Sequence, residues 1–454
     1  MGDPLVDAHC LLPNLYVIGS PLTPISIRDQ MLRSRWLVDR LISAGHLQTG
    51  HIMLVVGAGA AGATAAIRAA QLRANAMLVE QTGGAFGVQA GSNTRWIDPV
   101  QYDWPARHWD KQMYPFCPPP LPLGFGADIS SNLAIYWDTV LHQHQRALQP
   151  RLNYQPNTQV TALGPGATRQ FLAALQIGRV TANLEFDLVM WAVGFGQERT
   201  SIPRRGGGLL SGPPFWSTDT LTDPNCGLVG KPARVFILGC GDGALQDFLR
   251  AATKLPSARE IYERLKIPDR FRDAAQDIEA QFHRAFVWCN GADDEARLLE
   301  ARDSAYRDLV VDLWKEPNFP ARACGLLRSD IKSLEVAFQT TYLTAFYGLN
   351  CLLARVIGQA WADRIGIGTP INVVLRGGWR AREGHFDPAQ SVFEVTLDAQ
   401  PGPPPITPTP DTRECDVLII RIGIDPRSTV VPLAFPGKPS LVRTRHLFPY
   451  HLPG

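Results

Sequence analysis

The chain has 454 residues, of which 45% are hydrophobic and 19% charged, and its formal net charge is +2. This length is ample for a large core and predicts two or three domains. A charge so close to zero gives no argument for a nucleic-acid partner or an anionic membrane. The sequence has no run of about 18 apolar residues, and its N-terminus lacks the basic start and long apolar run of a signal peptide. We therefore expect a cytoplasmic protein with no membrane span.

The eight cysteines are scattered, and no C-x-x-C pair is present. This spacing indicates neither a redox dithiol nor a zinc knuckle. His142 and His144 stand two apart on a predicted helix and so face different ways, and His9 and Cys10 adjoin without partners at metal spacing. We expect no metal site.

Residues 25–44 carry apolar side chains at helical spacing and arginines elsewhere, which predicts an amphipathic helix. We expect this helix to pack against the first domain, because such helices usually face a core. A dimer contact is the alternative, so a homodimer is left open.

Residues 51–80 have the order of a strand, a glycine turn, a helix and a second strand. Residues 53–56 are apolar, which suits a buried parallel strand. Gly57, Gly59 and Gly62 follow as G-x-G-x-x-G. The first glycine allows a tight turn, the second lets a pyrophosphate approach the backbone, and the third lets helix and strand pack closely.

An acid completes this pattern. Glu80 ends the predicted strand 76–79, 18 residues after Gly62, where a carboxylate can bind ribose hydroxyls. A packed helix rich in alanine and glycine would not require the acid. The stretch therefore predicts a dinucleotide site.

A second turn of the same kind follows the predicted strand 234–238. Gly239, Gly241 and Ala244 form G-x-G-x-x-A, with Asp242 inside the turn. Alanine takes the position where helix and strand pack.

A long segment rich in glycine, proline and aromatic residues follows Glu80, and such irregular segments are uncommon unless they are functional. Its acid–base candidates are Tyr102, Asp103 and His108. The alternative is that these side chains simply pack or form hydrogen bonds, since geometry decides such a role.

Residues 257–365 are helical in pattern almost throughout, and residues 334–361 are predicted as one buried apolar helix. This insert is either a cap over a substrate or a subunit interface. Strands are predicted again at 371–375, 392–397 and 417–422.

Two glycine turns, with a strand ending in glycine at 191–196 before the second and another at 416–426 after it, resemble the two-dinucleotide-binding flavoproteins of the glutathione reductase and thioredoxin reductase types. The resemblance implies an α/β fold with two Rossmann-like dinucleotide-binding domains and a large helical insertion in the second. It implies an N-terminal helical extension at 1–50, an FAD domain at 51–233, an NAD(P) domain at 234–400 and a return to the FAD domain at 401–454. The sequence departs from the pattern in lacking a C-x-x-C pair and in carrying Arg421 where the family has a small or apolar residue.

The resemblance also implies the cofactors FAD and NADPH (or NADH). If 371–375 is the displaced second strand of the second domain, Arg376 ends it and, with Arg380 and Arg382, holds the 2′-phosphate of NADPH. A solvated basic turn is the alternative. We expect the cofactors to contact a set of residues around the two turns and the return strands: Gly57, Ala58, Gly59, Ala61, Gly62, Glu80, Gln81, Gln89, Arg95, Trp96, Val160, Gly194, Gly239, Gly241, Asp242, Ala244, Arg376 and Gly423.

The leading hypothesis is an FAD-dependent oxidoreductase that passes hydride from NADPH or NADH to FAD and then to an organic acceptor or oxygen. One alternative is an oxidase or monooxygenase acting on an amine or amino acid, with a vestigial second site. Another is a non-catalytic flavoprotein that serves as a redox sensor or binds a partner. We expect a small-molecule substrate under the enzyme hypotheses.

Overall fold

The computed structural model describes residues 3–19, 26–99, 101–106, 109, 121–124, 126–286, 288–289, 291–366, 370–400 and 410–425. These residues group into two compact units. Unit 1 takes its residues from Met1–Asn93, Met113–Gln197 and Asp425–Gly454, and unit 2 from Thr94–Gln112 and Glu198–Ile424. Residues 410–424 group with unit 2, whereas we expected 401–454 to return to the first domain.

The helices are α1 Pro4–His9, α2 Ile27–Ser43, α3 Ala60–Gln71, α4 Gly87–Ala90, α5 Ser130–Ala147, α6 Asp242–Thr253, α7 Ala258–Leu265, α8 Asp269–Phe286, α9 Ala292–Leu313, α10 Phe319–Gly325 and α11 Gly348–Ile365. The strands are β1 Cys10–Leu12, β2 Leu15–Val17, β3 Ile52–Val56, β4 Asn75–Val79, β5 Trp96–Ile97, β6 Asp128–Ile129, β7 Leu152–Gln155, β8 Thr158–Pro165, β9 Phe171–Ile177, β10 Val180–Phe186, β11 Leu188–Trp191, β12 Gln197–Glu198, β13 Ser201–Pro203, β14 Leu209–Ser211, β15 Ala233–Leu238, β16 Ile331–Phe338, β17 Leu375–Gly377, β18 Trp379–Asp387, β19 Val392–Ala399, β20 Asp411–Cys415, β21 Val417–Ile420 and β22 Ile424–Asp425.

Unit 1 is built on a sheet with the strand order β1-β2-β11-β3-β4-β7, parallel from β2 to β7. The apolar strand β3 lies at its centre between β11 and β4, as expected for a strand buried on both faces. A three-stranded antiparallel sheet, β10-β9-β8, packs its apolar face against the parallel sheet. The predicted strand–turn–helix–strand order of residues 51–80 is confirmed.

The N-terminal helix α2 packs against α3 in unit 1. Ser26 caps its start by accepting a hydrogen bond from the Asp29 amide at 3.2 Å. Arg68 of α3 reaches back to Asp39 of α2, with Nε 2.6 Å from Oδ1. The helix therefore packs on the first glycine-turn helix, as expected, but its arginines Arg28, Arg33 and Arg35 are also buried, which the amphipathic pattern did not predict.

Unit 2 contains a parallel sheet with the order β17-β16-β15-β21. The second strand of its Rossmann-like motif is β16, whereas we predicted 371–375. Residues Ile371–Val373 form a 3₁₀ turn, and Leu375–Gly377 is the third strand of the motif. The helical insert is correspondingly shorter, since α7 to α10 end at Gly325 and the buried apolar helix α11 begins only at Gly348.

The two sheets share one arrangement around their glycine turns. In each, the strand before the turn lies between the next strand of the motif and a strand that ends near a glycine. The set is β11-β3-β4 in unit 1 and β21-β15-β16 in unit 2. This confirms the predicted fold class of two Rossmann-like domains with a helical insertion in the second.

A buried ion pair holds the insert together. Arg302 of α9 donates from Nε and Nη2 to the two carboxylate oxygens of Glu279 on α8, at 2.8 and 2.9 Å. Tyr306 donates its hydroxyl to the same carboxylate at 2.5 Å. Glu279, Arg302 and Tyr306 are at most 5% exposed. Because water does not reach the two charges, the carboxylate and the guanidinium are stabilised by their hydrogen bonds to each other.

None of the helices in the described part of the chain combines the length and the hydropathy needed to cross a bilayer.

Replacing Arg302 by Met should leave Glu279 buried without its cation. Because breaking a buried pair strands a charge, we expect the free energy of unfolding in urea to fall by about 3 kcal/mol. Arg297→Met is the matched control on the same helix, since the side chain of Arg297 is 77% exposed. It should change stability by no more than about 0.5 kcal/mol. Equal effects of the two substitutions would show that the pair contributes nothing.

His9 predicts a pH dependence of the stability of unit 1. Its Nδ1 donates to the Val17 carbonyl at 2.7 Å, and burial, followed by the charge of Arg33, lowers its pKa to about 3. The unfolded chain therefore takes up this proton first. Stability should be complete above about pH 6.5 and fall by up to about 1.4 kcal/mol per unit as the pH drops towards 3. In urea unfolding at pH 5 and 7.5, His9→Asn should show a smaller difference than the parent protein; an unchanged difference would exclude His9 as its source.

Candidate dinucleotide-binding sites

The first glycine of the unit 1 turn can only be glycine. Gly57 has φ +99°, and a Cβ there would lie 2.6 Å from the carbonyl oxygen of Ala192, just after β11. Its amide donates to the Val79 carbonyl at 2.9 Å. The turn is thus pressed between the two strands that flank β3.

The other two glycines have opposite surroundings. A Cβ on Gly59 would meet nothing within 4 Å, whereas one on Gly62 would collide with the carbonyl of Gly57. Gly59 is also the N-cap of α3 and provides no side-chain hydrogen bond. Uncapped amides at a helix N-terminus bind anions, and the open space at Gly59 lets a pyrophosphate come close. The turn therefore fits a dinucleotide.

Glu80 ties the end of β4 to this turn. Its Oε2 accepts the Ala58 amide at 2.9 Å, and its Oε1 accepts the amide and the hydroxyl of Thr82 at 3.0 and 2.9 Å. Each carboxylate oxygen has two lone-pair sites, so Oε2 keeps capacity for a further donor. The contact of Glu80 with a ribose stays a prediction.

The remaining unit 1 candidates differ in their surroundings. Gly194 follows β11 and has φ +91°. A Cβ on Gly19 would lie 2.6 Å from the carbonyl oxygen of Gly194. Gln81 is exposed, while Gln89 is buried and its carbonyl accepts the Ser130 hydroxyl at 2.8 Å. Val160 is buried and packs in the core between the two sheets. Ala61 is half-buried in the first turn of α3.

The unit 2 turn repeats this construction. Gly239 has φ +119°, and a Cβ there would collide with the carbonyl of Arg421, the residue directly after β21. A Cβ on Gly241 would meet open space, and Ala244 is buried where α6 packs. Gly423, two residues after Arg421, has φ +103°.

Asp242 binds a neighbouring loop to this turn. Its carboxylate accepts the amides of Phe346 and Tyr347 at 2.7 and 3.2 Å and the side-chain amide of Asn350 at 2.7 Å. Burial raises the pKa of the Asp242 carboxyl, and these three hydrogen bonds oppose that rise. Asp242 thus fixes the loop that leads into α11 and contacts Asn350 in the first turn of that helix.

Arg421 is paired within the protein. Its Nε donates to Asp247 at 2.9 Å and its Nη1 to the Pro213 carbonyl at 2.6 Å, and burial lowers its pKa. Arg95 shares the same carboxylate and also pairs with Asp219 at 3.1 Å. The register of β21 places Ile420 opposite Leu238, and the strand ends there, so Arg421 lies directly after the strand, whereas we predicted it inside a strand at 417–422. Arg95, predicted as a cofactor contact, pairs with these two aspartates, which Arg250 also contacts at 2.9 and 3.5 Å.

A small cleft in unit 2 adjoins this ion network. It is lined by Arg95, Trp96, Gln101, Gln246, Leu249, Arg250, Pro256, Ser257, Ala258 and Ile261. Trp96 is therefore in position to contact a ligand, although its predicted contact with a cofactor stays a prediction.

Arg376 does not end the second strand of the motif, which corrects the basis of its predicted role. It lies on β17, where it pairs with Asp411 and, at 3.2 Å, with Glu335, and its guanidinium carbon lies 4.6 Å from the ring centre of Trp379. Nη1 of Arg382 lies 3.5 Å from Oδ1 of Asp398. These arginines are balanced by carboxylates of unit 2.

The predicted acid–base residues are only partly described. Tyr102 and Asp103 lie in a 3₁₀ turn of unit 2. The ring centre of Tyr102 is 4.5 Å from the ring centre of Tyr347, which lies in the loop held by Asp242. Asp103 is buried. His108 lies outside the described residues. Trp104 and Trp109 are buried in the core of unit 2, in agreement with a packing role.

The contribution of the insert to the second turn is not predicted by the sequence. Arg302 donates to the carbonyls of Ala345 and Phe346 at 2.9 and 2.7 Å, and Arg307 donates to that of Thr341 at 3.0 Å. Acids and arginines at helical spacing usually form a solvated face, and nothing in the local pattern distinguishes these two. Among the described residues, no three His, Cys, Asp or Glu side chains gather as metal ligands would.

Comparison with protein families bears on the first turn. Residues 55–115 match the family model described as an NAD(P)-binding Rossmann-like domain. The chain carries a Rossmann-like domain there. This match includes Gly57, Gly59, Gly62 and Glu80, and it agrees with the dinucleotide fingerprint predicted from them. The comparison with curated proteins found no match.

Solved structures resemble the chain over most of its length at low identity. Thioredoxin reductase of T. acidophilum is 11% identical, with 83% of this chain and 78% of that chain covered and a TM-score of 0.37. The bacillithiol disulfide reductase Bdr of Staphylococcus aureus is 10% identical, with 83% and 77% covered and a TM-score of 0.41. The lysine monooxygenase NbtG of Nocardia farcinica is 14% identical, with 84% and 83% covered and a TM-score of 0.37. Similarity at this level carries no information about substrate.

Two alanine substitutions in the first turn should behave differently. Gly57→Ala forces a positive φ and a clash with Ala192, so we expect it to lower the free energy of unfolding by about 2 kcal/mol or more. Gly59→Ala adds its Cβ in open space and should leave stability within about 0.5 kcal/mol of the parent. Thermal or urea unfolding measures both. A destabilisation of equal size by both would contradict the described turn.

Proposed function

We propose that the protein is an FAD-dependent oxidoreductase that takes hydride from a nicotinamide dinucleotide and passes electrons to an organic acceptor or oxygen. One observation carries the proposal. Two turns of identical construction stand at the carboxyl ends of parallel strands, and each leaves open space at its second glycine. Ligands bind at this end of such sheets.

The first turn fits the pyrophosphate of FAD. Gly59 and the uncapped start of α3 would hold it, and Glu80 lies at the end of β4, where ribose hydroxyls are bound. The second turn offers Gly241 and the start of α6 in the same way, with Tyr102 near its loop. When bound, the two cofactors supply the hydride chemistry, and the protein supplies position and electrostatics. The absence of a C-x-x-C pair in the sequence argues against a dithiol acceptor.

An anaerobic absorbance spectrum of the purified protein tests the proposal. We expect a flavin band that NADPH or NADH bleaches. A band bleached only by amines would instead favour an amine oxidase or monooxygenase, and a band inert to all of these would favour a redox sensor. A colourless protein that also fails to take up added FAD would refute the proposed flavin site.

Two valine substitutions separate the turns. Gly59→Val should block the pyrophosphate and give colourless protein, whereas Gly241→Val should keep the flavin colour and lose bleaching by nicotinamide nucleotide. Gly126→Val, at an exposed glycine of unit 1 with no atom within 4 Å of an added Cβ, is the matched control and should change neither. Retained colour in Gly59→Val would exclude this turn as the flavin site.

A further inference from the structure

The end of the second strand in unit 2 carries no charge. In a Rossmann motif this position selects the ribose, because an acid there binds the 2′-hydroxyl and a nearby arginine accommodates a 2′-phosphate. Here β16 ends at Phe338 and is followed by Gln339, Thr340 and Thr341. The end of the strand therefore supplies neither an acid nor an arginine.

The loop after β16 lies directly on the second glycine turn. The amide of Thr344 donates to the carbonyl of Cys240 at 3.2 Å. The Cys240 sulfur lies 3.2 Å from the hydroxyl of Thr344 and 3.6 Å from that of Thr340. A dinucleotide on this turn would have its adenosine ribose beside this loop.

A cation reaches this loop from the helical insert. Arg307, on α9, donates from Nη2 to the carbonyl of Thr341, three residues beyond the end of β16, at 3.0 Å. Its Nε and Nη2 also donate to Asp303, at 3.2 and 2.6 Å, so Nη1 is the remaining donor group, and the side chain is 44% exposed. The arginine expected after the strand is thus provided by a helix that precedes the strand in sequence.

The ion-paired group of Asp303, Arg307 and Arg355 carries one positive charge in excess. The buried carboxylate of Asp303 pairs with both Arg307 and Arg355, each at 2.6 Å. Arg355 and Asp303 are at most 5% exposed, so the surplus charge is available only through Arg307. The surroundings are not uniformly positive. The pKa of Tyr342 is raised mainly by burial and further by the negative charge of Glu300 and other nearby acidic groups. Direct contact, rather than a diffuse field, would therefore select an anion.

We propose that Arg307 holds the 2′-phosphate of NADPH and makes the second site selective for NADPH over NADH. The inference rests on the proposed dinucleotide site at Gly241. The two N–H groups of Nη1 can donate charge-assisted hydrogen bonds to phosphate oxygens, and the hydrogen bond to Thr341 keeps this guanidinium beside the strand end. The insert then forms part of the nucleotide site.

Calorimetric titration of the full-length protein with two probes tests this role. Adenosine 2′,5′-bisphosphate and adenosine 5′-monophosphate differ only in the 2′-phosphate. We expect the parent protein to bind the bisphosphate more tightly. Arg307→Gln should weaken the bisphosphate by about tenfold or more, because a hydrogen bond to a charged group is lost, and leave the monophosphate unchanged. Arg307→Lys should bind the bisphosphate with an affinity between those of the parent and Arg307→Gln, because lysine keeps the positive charge without the guanidinium.

The controls keep the outcomes separate. Arg297→Gln removes an exposed arginine from the same helix and should change neither affinity. Arg355 still neutralises Asp303 in Arg307→Gln, so the variant should unfold at the parent's temperature. Equal binding of both probes by the parent, or equal weakening of both by Arg307→Gln, would overturn the role of Arg307. Absence of binding by either probe, with flavin colour retained, would overturn the second dinucleotide site itself.

Discussion

The contact between the first glycine of each turn and the carbonyl at the end of a neighbouring strand is the constraint on which the structure depends. Gly57 meets Ala192 in unit 1, and Gly239 meets Arg421 in unit 2. Neither contact has room for a Cβ. Because glycine has none, the central strand can turn sharply into its helix directly beside the neighbouring strand. The helix start is thereby left uncapped and open at Gly59 and Gly241, which is the geometry that binds a pyrophosphate.

The helical insert shows how such a motif accepts a long interruption. It lies between α6 and β16, yet β15 and β16 pair in register as adjacent parallel strands. Closing a longer connection adds little entropic cost, so the sheet tolerates it. The pair of Glu279 with Arg302 holds the insert, and Arg302 in turn grips the loop over the second turn through the carbonyls of Ala345 and Phe346. The insert therefore stabilises the loop that packs against the second turn.

The sequence predicted the local elements around the glycines well and the order of strands in unit 2 poorly. The first strand, turn and helix follow from apolar runs and glycines that act within a few residues. The sequence predicts helix over β16 because its apolar residues run on towards those of α11, and a short apolar run has no period that distinguishes a strand from a buried helix. Once β16 is the second strand, Arg376 moves to the third, where Glu335 and Asp411 balance it.

Sequence alone was sufficient for both glycine turns, because a positive φ and the absence of a Cβ are properties of single residues that need no distant partner. Charge pairing was decided only by the tertiary structure. Arg421 and Asp247 are 174 positions apart, and Arg302 and Glu279 lie on different helices. An arginine in a sequence has the same charge whether it binds a carboxylate or faces a ligand. Its role depends on which groups the fold brings within hydrogen-bonding distance. Once such a pair is buried, separating it is strongly destabilising, because a charge would be left without a partner.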